Sequence, residues 1–484
     1  MKVDADARLD SEREILRLFI GDMLNEAVHY TNVYGKRSVR QWNSVNREKR
    51  IWRTVDLAEM EAFIGLHILA GAFKSQYRST EELWSEKDGQ PVFRITMSRE
   101  RFCALKSALR FDDLVRRNSD DPLAPIRYVF EVFVSKLRRF VVAGPYLTVD
   151  EQLVEFHGRV RFKQYIGSKP GKFGIKIFWV YDAASGYCLN GLVYIGKNAV
   201  SEIVAANSNS VSESVVIQLC QPFLGKGRNI TADNWFTSFS LIQRLREQST
   251  TFVGTVRANS RDIPPASRCT KEANRTRGDT KHFYCDGVAL CSFWDKGAKP
   301  VLLFDSFLTA PPSSSVGSKP DSVLFYNKTK SGVDVLDHLC RMFSAKRKCR
   351  RWPYALAMNL VDVAGVNDSI ISRHLNPSGS TRDDSHAHHK FLKAVGYQLI
   401  DSHIQRRLTT ERLRGPAIRA VQMLGYRTKK NEDTNSSSHV LLKQARCYLC
   451  PRSKDKKVNV CCTSCRKPMC TEHRAYFCVD CVHL

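Results

Sequence analysis

The sequence predicts a multidomain α+β chain: helical segments flank a mixed β-sheet, the sheet domain carries a β-rich insertion, and a cysteine-rich tail follows. Three patterns carry this expectation. Apolar residues recur at helical spacing up to about residue 145, strand-like segments prevail from 146 to about 258, and eight of the sixteen cysteines crowd into the last 38 residues. A chain of 484 residues can bury several cores, so two to four domains is the natural expectation.

Residues 1–145 read as helical. TVDLAEMEAFIGLHILAGAF opens on an Asp56/Glu59 capping pair, MSRERFCALKSALRF has Ser98 as its cap, and PIRYVFEVFVSKLRRFVV has Pro125 near its start. Gly144-Pro145 ends the pattern. The span 146–258 then gives strands in YLTVDEQLVEF, FGIKIFWVYD and YCLNGLVYIG, a helix in SESVVIQLCQPFL, the short strand RNITAD, a helix in NWFTSFSLIQRLREQ and a strand in TFVGTVRA. Three strands, helix, strand, helix, strand is the order of an RNase H-like core. A further helix is due next, but residues 259–327 intervene with their own strand-like pieces, VALCSFWD and PVLLFDSFL, and read as a β-rich insertion. The delayed helix opens the span 328–351, at Ser331-Gly332-Val333-Asp334. Residues 352–426 are helical again, 427–440 form a polar linker, and 441–484 hold the cysteines.

Charge narrows the function. Lys and Arg number 75 against 49 Asp and Glu, a formal +26, which points to a polyanionic partner, nucleic acid ahead of a membrane surface. No apolar stretch of about 20 residues is present to span a bilayer, and the acidic start MKVDADARLDSEREI has no signal-peptide core. Reduced thiols are therefore expected, and the terminal cluster points to metal rather than disulfides.

Four carboxylates stand out against this basic background. Asp150 falls inside the first strand, Asp233 ends the fourth, and Asp334 and Asp337 lie on the delayed helix, where i,i+3 spacing lets them share a face. Each has a plain alternative: a solvated strand residue for Asp150, a strand-to-helix junction for Asp233, a charge at a helix N-terminus for Asp334. Together they occupy neighbouring strands and the helix that crosses them, so they can converge on oxygen-ligated Mg²⁺ and support phosphoryl chemistry. Around them lie Arg159, Arg161, Lys163, Lys169, Lys172 and Lys176, then Arg257 and Arg261, then Arg341, Lys346, Arg347, Lys348, Arg350 and Arg351. Phosphate contact is the expected use of these cations and of Asn234, with a solvated helix face as the alternative; Trp352 can stack on a base or belong to a core.

The ordered stretches FDDLVRR, DPLAPIRYVFEVF, LTVDEQLVEFHGR, KPGKFGIKIFWVYD, RNITADNWFTSFSL, VGTVRANSRDIP, YNKTKSGVDVLDHL and RWPYALAMNLVD resemble a piggyBac-type DNA transposase over nearly the whole chain. The resemblance implies that Asp150, Asp233 and Asp334 form the catalytic triad, Asp337 being a further acid on the same helix, with Mg²⁺ or substituting Mn²⁺. It implies transposon ends cut through hairpin intermediates, joining to TTAA targets, and a donor site restored without a scar. It also implies that 1–145 and 352–426 are two parts of one dimerisation and DNA-binding domain. A nuclear homodimer acting on terminal inverted repeats is expected, RTKK and KDKK being weak import signals. A domesticated, catalytically silent descendant that binds DNA or chromatin is the alternative. Two departures are visible. The chain starts close to its folded part, where the family has a long acidic region, and His157 stands in FHGR where relatives commonly carry arginine.

The tail offers Cys447-x2-Cys450, Cys462-x2-Cys465, Cys470-x2-His473 and Cys478-x2-Cys481, enough ligands for two tetrahedral Zn²⁺ ions. Spacing leaves Cys461 and Cys462 ambiguous; the family pattern favours Cys462. A cross-brace, pairs one and three on one ion and two and four on the other, is expected but is not readable from spacing. Resemblance assigns this domain to inverted-repeat recognition, while the pattern alone equally suits a RING- or PHD-like protein-interaction module.

Overall fold

The computed structural model describes residues 11–196, 210–264, 267, 277–295, 300–308, 319–330, 332–375, 387–410, 413, 415–426, 440–462 and 467–473. The chain divides into two compact units, Met1–His403 and Ile404–Leu484. The linker expected at 427–440 lies, except for Val440, outside the described residues.

The first unit opens with helix α1 (Glu12–Val45), capped by the Ser11 side chain on the Glu14 amide. Its buried stripe of Ile15, Leu16, Phe19, Ile20, Met23 and Leu24 packs on α6 (Arg127–Leu137), five helices on in the chain. Helix α2 (Leu57–Ala72) starts at the expected Asp56, whose carboxylate accepts from the Glu59 amide. The reciprocal half of a capping box is replaced. The Glu59 carboxylate takes two bonds from Arg101 at 2.7 and 2.6 Å and one from Arg53 at 2.7 Å, which ties α2 to α5 (Arg99–Ala108). Between them lie the short helices α3 (Thr80–Trp84) and α4 (Pro91–Thr96).

Nine strands form one sheet: β1 (Tyr146–Glu155), β2 (Gln164–Tyr165), β3 (Phe173–Asp182), β4 (Cys188–Val193), β5 (Asn229–Ala232), β6 (Thr251–Thr255), β7 (Thr280–Cys285), β8 (Val288–Phe293) and β9 (Val301–Asp305). Their order is β2-β3-β1-β5-β6-β9-β8-β7, with β4 also on β3. Strands β1, β3 and β4 are antiparallel neighbours, whereas β5 runs parallel to β1 and β6 parallel to β5. Helices α7 (Val211–Cys220) and α8 (Phe239–Glu247) make the two parallel crossovers. The strand-like pieces expected within 259–327 become β8 and β9, and with β7 they continue the same sheet beyond β6.

A helix the sequence did not reveal, α9 (Asp321–Thr329), crosses this sheet. Its last residue is pinned there: the Thr148 hydroxyl donates to the Thr329 carbonyl at 2.6 Å, and the Thr231 and Thr329 hydroxyls are 2.8 Å apart. That anchor sets the start of α10 (Gly332–Met342), which packs on β1 and β3. Helix α11 (Trp352–Leu375) covers α10 and reaches both β1 and α1. Between α10 and α11 the chain presses against the end of α2. A Cβ on Gly71 would come within 2.2 Å of the Phe343 carbonyl oxygen, so only glycine permits this approach.

Helix α12 (Ala387–Thr410) runs across the boundary of the two units. The second unit adds helix α13 (Gly415–Met423) and an antiparallel pair, β10 (Val440–Arg446) with β11 (Lys457–Val460). Its small core is built from the thiols of Cys447, Cys450 and Cys470, with Leu449 and Val458 against them.

Candidate catalytic and metal sites

Asp150 and Asp233 come together through strand register. Val149 stands opposite Ala232 in the parallel β1–β5 pair, and each acid is the next residue along. Neighbouring strands lie about 4.8 Å apart, which brings the backbones of the two acids side by side. Asp150 is held by the Glu151 amide, which donates to Oδ1 at 2.7 Å. Asp233 caps its own turn, accepting from the Trp235 amide at 2.9 Å while the Thr237 hydroxyl bonds its carbonyl at 2.8 Å.

The Asp150 carboxyl is pushed up to about 8, first by burial and then by the negative charges of Glu151 and Asp233. Nearby positive charge does not cancel this. Lys169 Nζ lies 3.7 Å from Asp337 Oδ2 and donates to the Glu151 carbonyl at 3.1 Å. Lys176 lies 3.9 Å from the Glu151 carboxylate and sits over the rings of Trp235 and Phe178, at 4.4 and 4.6 Å. Burial lowers its ammonium below the ordinary lysine range.

Helix α10 brings Asp337 to this end of the sheet, where Lys169 joins it to the backbone of β1. Asp334 falls in the first turn of that helix; its side chain lies outside the described residues. The oxygen donors of Asp150, Asp233 and Asp337 are of the hard type that Mg²⁺ takes, and a divalent cation would offset both the burial and, behind it, the negative neighbours that raise the Asp150 carboxyl.

A cleft of about 1040 Å³ opens beside Asp337. Its walls carry Arg159, Lys163, Lys169, Arg341, Lys348 and Arg350, and Tyr77 projects at one side, 78% exposed. Arg161, Lys172, Arg257 and Arg261 are exposed, and Arg257 donates to the Asn234 side chain at 3.0 Å. Two members of the basic run expected to meet phosphate, Arg347 and Arg351, are turned inward instead, and Trp352 beside them packs on a protein ring. Arg347 is buried, donating to the Ser75 and Arg78 carbonyls at 3.3 and 2.7 Å. Arg351 donates to the carbonyls of Leu109, at 2.6 Å, and Lys106. Trp352 packs edge-on against Phe162, centroids 5.2 Å apart. Unpaired main-chain carbonyls beside the run capture these side chains, which charge counting alone does not foresee. Lys346 is intermediate: it lines the cleft but donates to the Glu155 carbonyl at 2.7 Å.

Two further acids belong to this neighbourhood and were not singled out in the sequence. Glu151 adds charge beside Asp150, as its alternation onto the opposite sheet face conceals. Asp362, on α11, accepts from the Ser344 hydroxyl and the Ala345 amide, both at 2.7 Å, and so fixes the start of the basic run. Burial pushes its carboxyl up to about 7.

In the second unit Cys447, Cys450, Cys470 and His473 converge, with one ligand atom from each lying within 4.8 Å of the others. Pairs one and three of the tail therefore share a site. The His473 Nδ1 lies 3.2 Å from Cys470 Sγ and 3.7 Å from both Cys447 and Cys450 Sγ. Three thiols and an imidazole suit a tetrahedral metal such as zinc. Cys461 and Cys462 are both buried nearby in sequence; Cys465, Cys478 and Cys481 lie outside the described residues.

Comparison with known proteins adds to this geometry. A sequence model of the transposase IS4 family matches residues 11–368. The human PiggyBac transposable element-derived protein 3 is 25% identical over 357 residues, which cover 70% of this chain and 57% of that protein. The human chimeric ERCC6-PGBD3 protein is 25% identical over the same length, 32% of its own. The chain thus spans little more than half of the first of these curated relatives and a third of the second. A cryo-EM structure of a piggyBac transposase synaptic complex with hairpin DNA superposes with a TM-score of 0.80 at 30% identity, covering 97% of each chain.

Proposed function

Since the chain belongs to the transposase IS4 family, as a piggyBac-type member, we propose that it is a cut-and-paste DNA transposase. It would cleave transposon ends through hairpin intermediates and join them to TTAA targets. The observation that carries this reading is the placement of Asp150 on β1 and of Asp233 directly after the neighbouring parallel strand β5, beside the helix that bears Asp334 and Asp337. The strand order, three antiparallel then two parallel, supports an RNase H-like core whose sheet is lengthened by the insertion.

In this reading Asp150, Asp233 and Asp334, with Asp337, hold Mg²⁺ or Mn²⁺, which when bound activates water or a 3′ hydroxyl and stabilises the leaving oxygen. The chain's own part is positional. Lys169 keeps α10 and β1 at a fixed separation, Asp362 fixes the basic run, and the exposed cations of the cleft take phosphates. DNA binding is supported by the solved transposase complex with hairpin DNA and by the +26 charge. Cys447, Cys450, Cys470 and His473 would hold one Zn²⁺, and Cys462, Cys465, Cys478 and Cys481 a second. Action as a homodimer in the nucleus completes the proposal, because two ends must be held together.

A second reading, a catalytically silent DNA- or chromatin-binding descendant, is favoured by the name of the human relative, a transposable element-derived protein. Strand cleavage and joining on inverted-repeat ends flanked by TTAA, with Mg²⁺ or Mn²⁺ and with Asp233→Ala alongside, separates the two. Metal-dependent cuts at the repeat boundary that vanish in the variant are expected. Tight binding without cutting would overturn the catalytic reading in favour of the second.

A further inference from the structure

We infer that the turn between β2 and β3 carries a base-stacking platform for unpaired DNA, made by Tyr165, Phe173 and His157. Tyr165 and Phe173 are direct cross-strand partners in the β2–β3 register, with ring centroids 4.9 Å apart. An aromatic pair of this kind normally buries its faces against a core. Here Tyr165 is 63% and Phe173 40% exposed. The His157 ring lies 6.5 Å from Phe173 and is also mostly open to solvent. The platform therefore presents flat apolar faces to water.

Its surroundings specify what would cover those faces. Lys163 Nζ lies 6.0 Å from the centre of the Phe173 ring, Arg161 and Lys172 are exposed just ahead of β2 and β3, and one carboxylate accompanies them, Glu155, 3.1 Å from His157 Nε2. Exposed rings among cations match an unpaired nucleic-acid strand, whose bases stack while its phosphates meet the cations. A protein partner would need acidic side chains placed to match, whereas every nucleotide brings its own phosphate, and a paired duplex hides its base faces. Lys169 sits in the same turn, and its ties to Asp337 and to the Glu151 carbonyl fix the platform relative to the carboxylates. Bases splayed from a strand end at those carboxylates are the occupant.

The inference deepens the transposase reading and takes from it only the identity of the polymer. It is tested by binding of the full chain, without divalent metal, to a short single strand carrying 2-aminopurine and to a blunt duplex of the same sequence. Phe173→Leu keeps apolar bulk and removes the ring; Phe173→Tyr restores it. The expected result is roughly tenfold weaker single-strand binding in Phe173→Leu, the loss of about one stacked base, with duplex binding unchanged, rescue by Phe173→Tyr, and 2-aminopurine quenching only when the ring is present. Unchanged single-strand binding, or equal loss on both DNAs, would overturn it. Because no metal is used, the outcome is independent of cleavage. A chain that cuts but ignores the Phe173 ring refutes the platform alone, and one that stacks bases but never cuts refutes only the catalytic reading.

Discussion

Replacing Asp150 with asparagine is expected to stabilise the metal-free protein, and by more as pH rises. The half-buried Asp150 carboxyl stands at about 8, against 3.8 for an ordinary aspartate, so across neutral pH the folded chain keeps a proton that the unfolded chain loses. For a carboxyl raised in this way, stability is intact below the unfolded pKa and is lost as pH climbs toward the folded one. The loss is about 1.4 kcal/mol per pH unit, or about 3 kcal/mol between pH 5 and pH 7. Asparagine keeps the acceptor for the Glu151 amide and never ionises, so it escapes that loss. A unit of this size shifts by about 1 °C per kcal/mol, so the gap in Tm between Asp150→Asn and the parent should widen by about 3 °C over that interval. Calorimetry in chelator at several pH values measures it. A gap that is constant with pH, or an Asp150→Asn protein less stable than its parent at pH 7, would refute the electrostatic argument. Added Mg²⁺ should stabilise the parent and leave the variant unmoved.

Arg347→Ala should lower stability by about 1–3 kcal/mol, since the Ser75 and Arg78 carbonyls lose their donor; denaturant titration reads this, and its DNA-binding salt slope should stay that of the parent. Arg350→Ala, exposed on the cleft, should do the reverse, reducing that slope by about 1 with little change in stability. Gly71→Ala should cost about 1–3 kcal/mol, because its methyl meets main chain rather than a side chain that can move aside. If Cys447, Cys450, Cys470 and His473 hold a metal, a chelator should unfold the second unit and leave the melting of the first in place, as followed by circular dichroism. Against the opposing effect of burial, main-chain amides, that of Cys470 first, lower the Cys447 thiol to about 7, so the apparent metal affinity should begin to fall as the buffer is taken below that pH.

The long helices were legible because their apolar residues repeat over many turns: WPYALAMNLVDVAGVNDSIISRHL is helical from end to end. The core strands were legible as short runs of aromatic and branched residues: in FGIKIFWVYD every residue but Phe173 and Lys176 is buried. Strand β7 was not, since TKHFYC is an edge strand with no face fully buried and so carries no apolar alternation. Helix α9 was missed because nine residues behind an uncapped Pro320 give too short a periodic signal; its position depends on Thr329 hydroxyls meeting residues far away in sequence. The Asp150–Asp233 pairing was readable from strand order alone. The division of the basic run into inward Arg347 and Arg351 and outward Lys348 and Arg350 was not, because it depends on carbonyls supplied by residues 75, 78, 106 and 109.

The Thr329 anchor also bears on how the protein is made. Residues of β1 find this partner 181 positions later, and α1 is covered by a helix that begins at residue 352. During synthesis the first strand must wait, with one sheet face open, until nearly three-quarters of the chain has left the ribosome. Such long-range closure slows folding and exposes apolar surface while it lasts. A transcript interrupted before α11 would yield a product with Asp150 and Asp233 in its sequence but no assembled acidic centre.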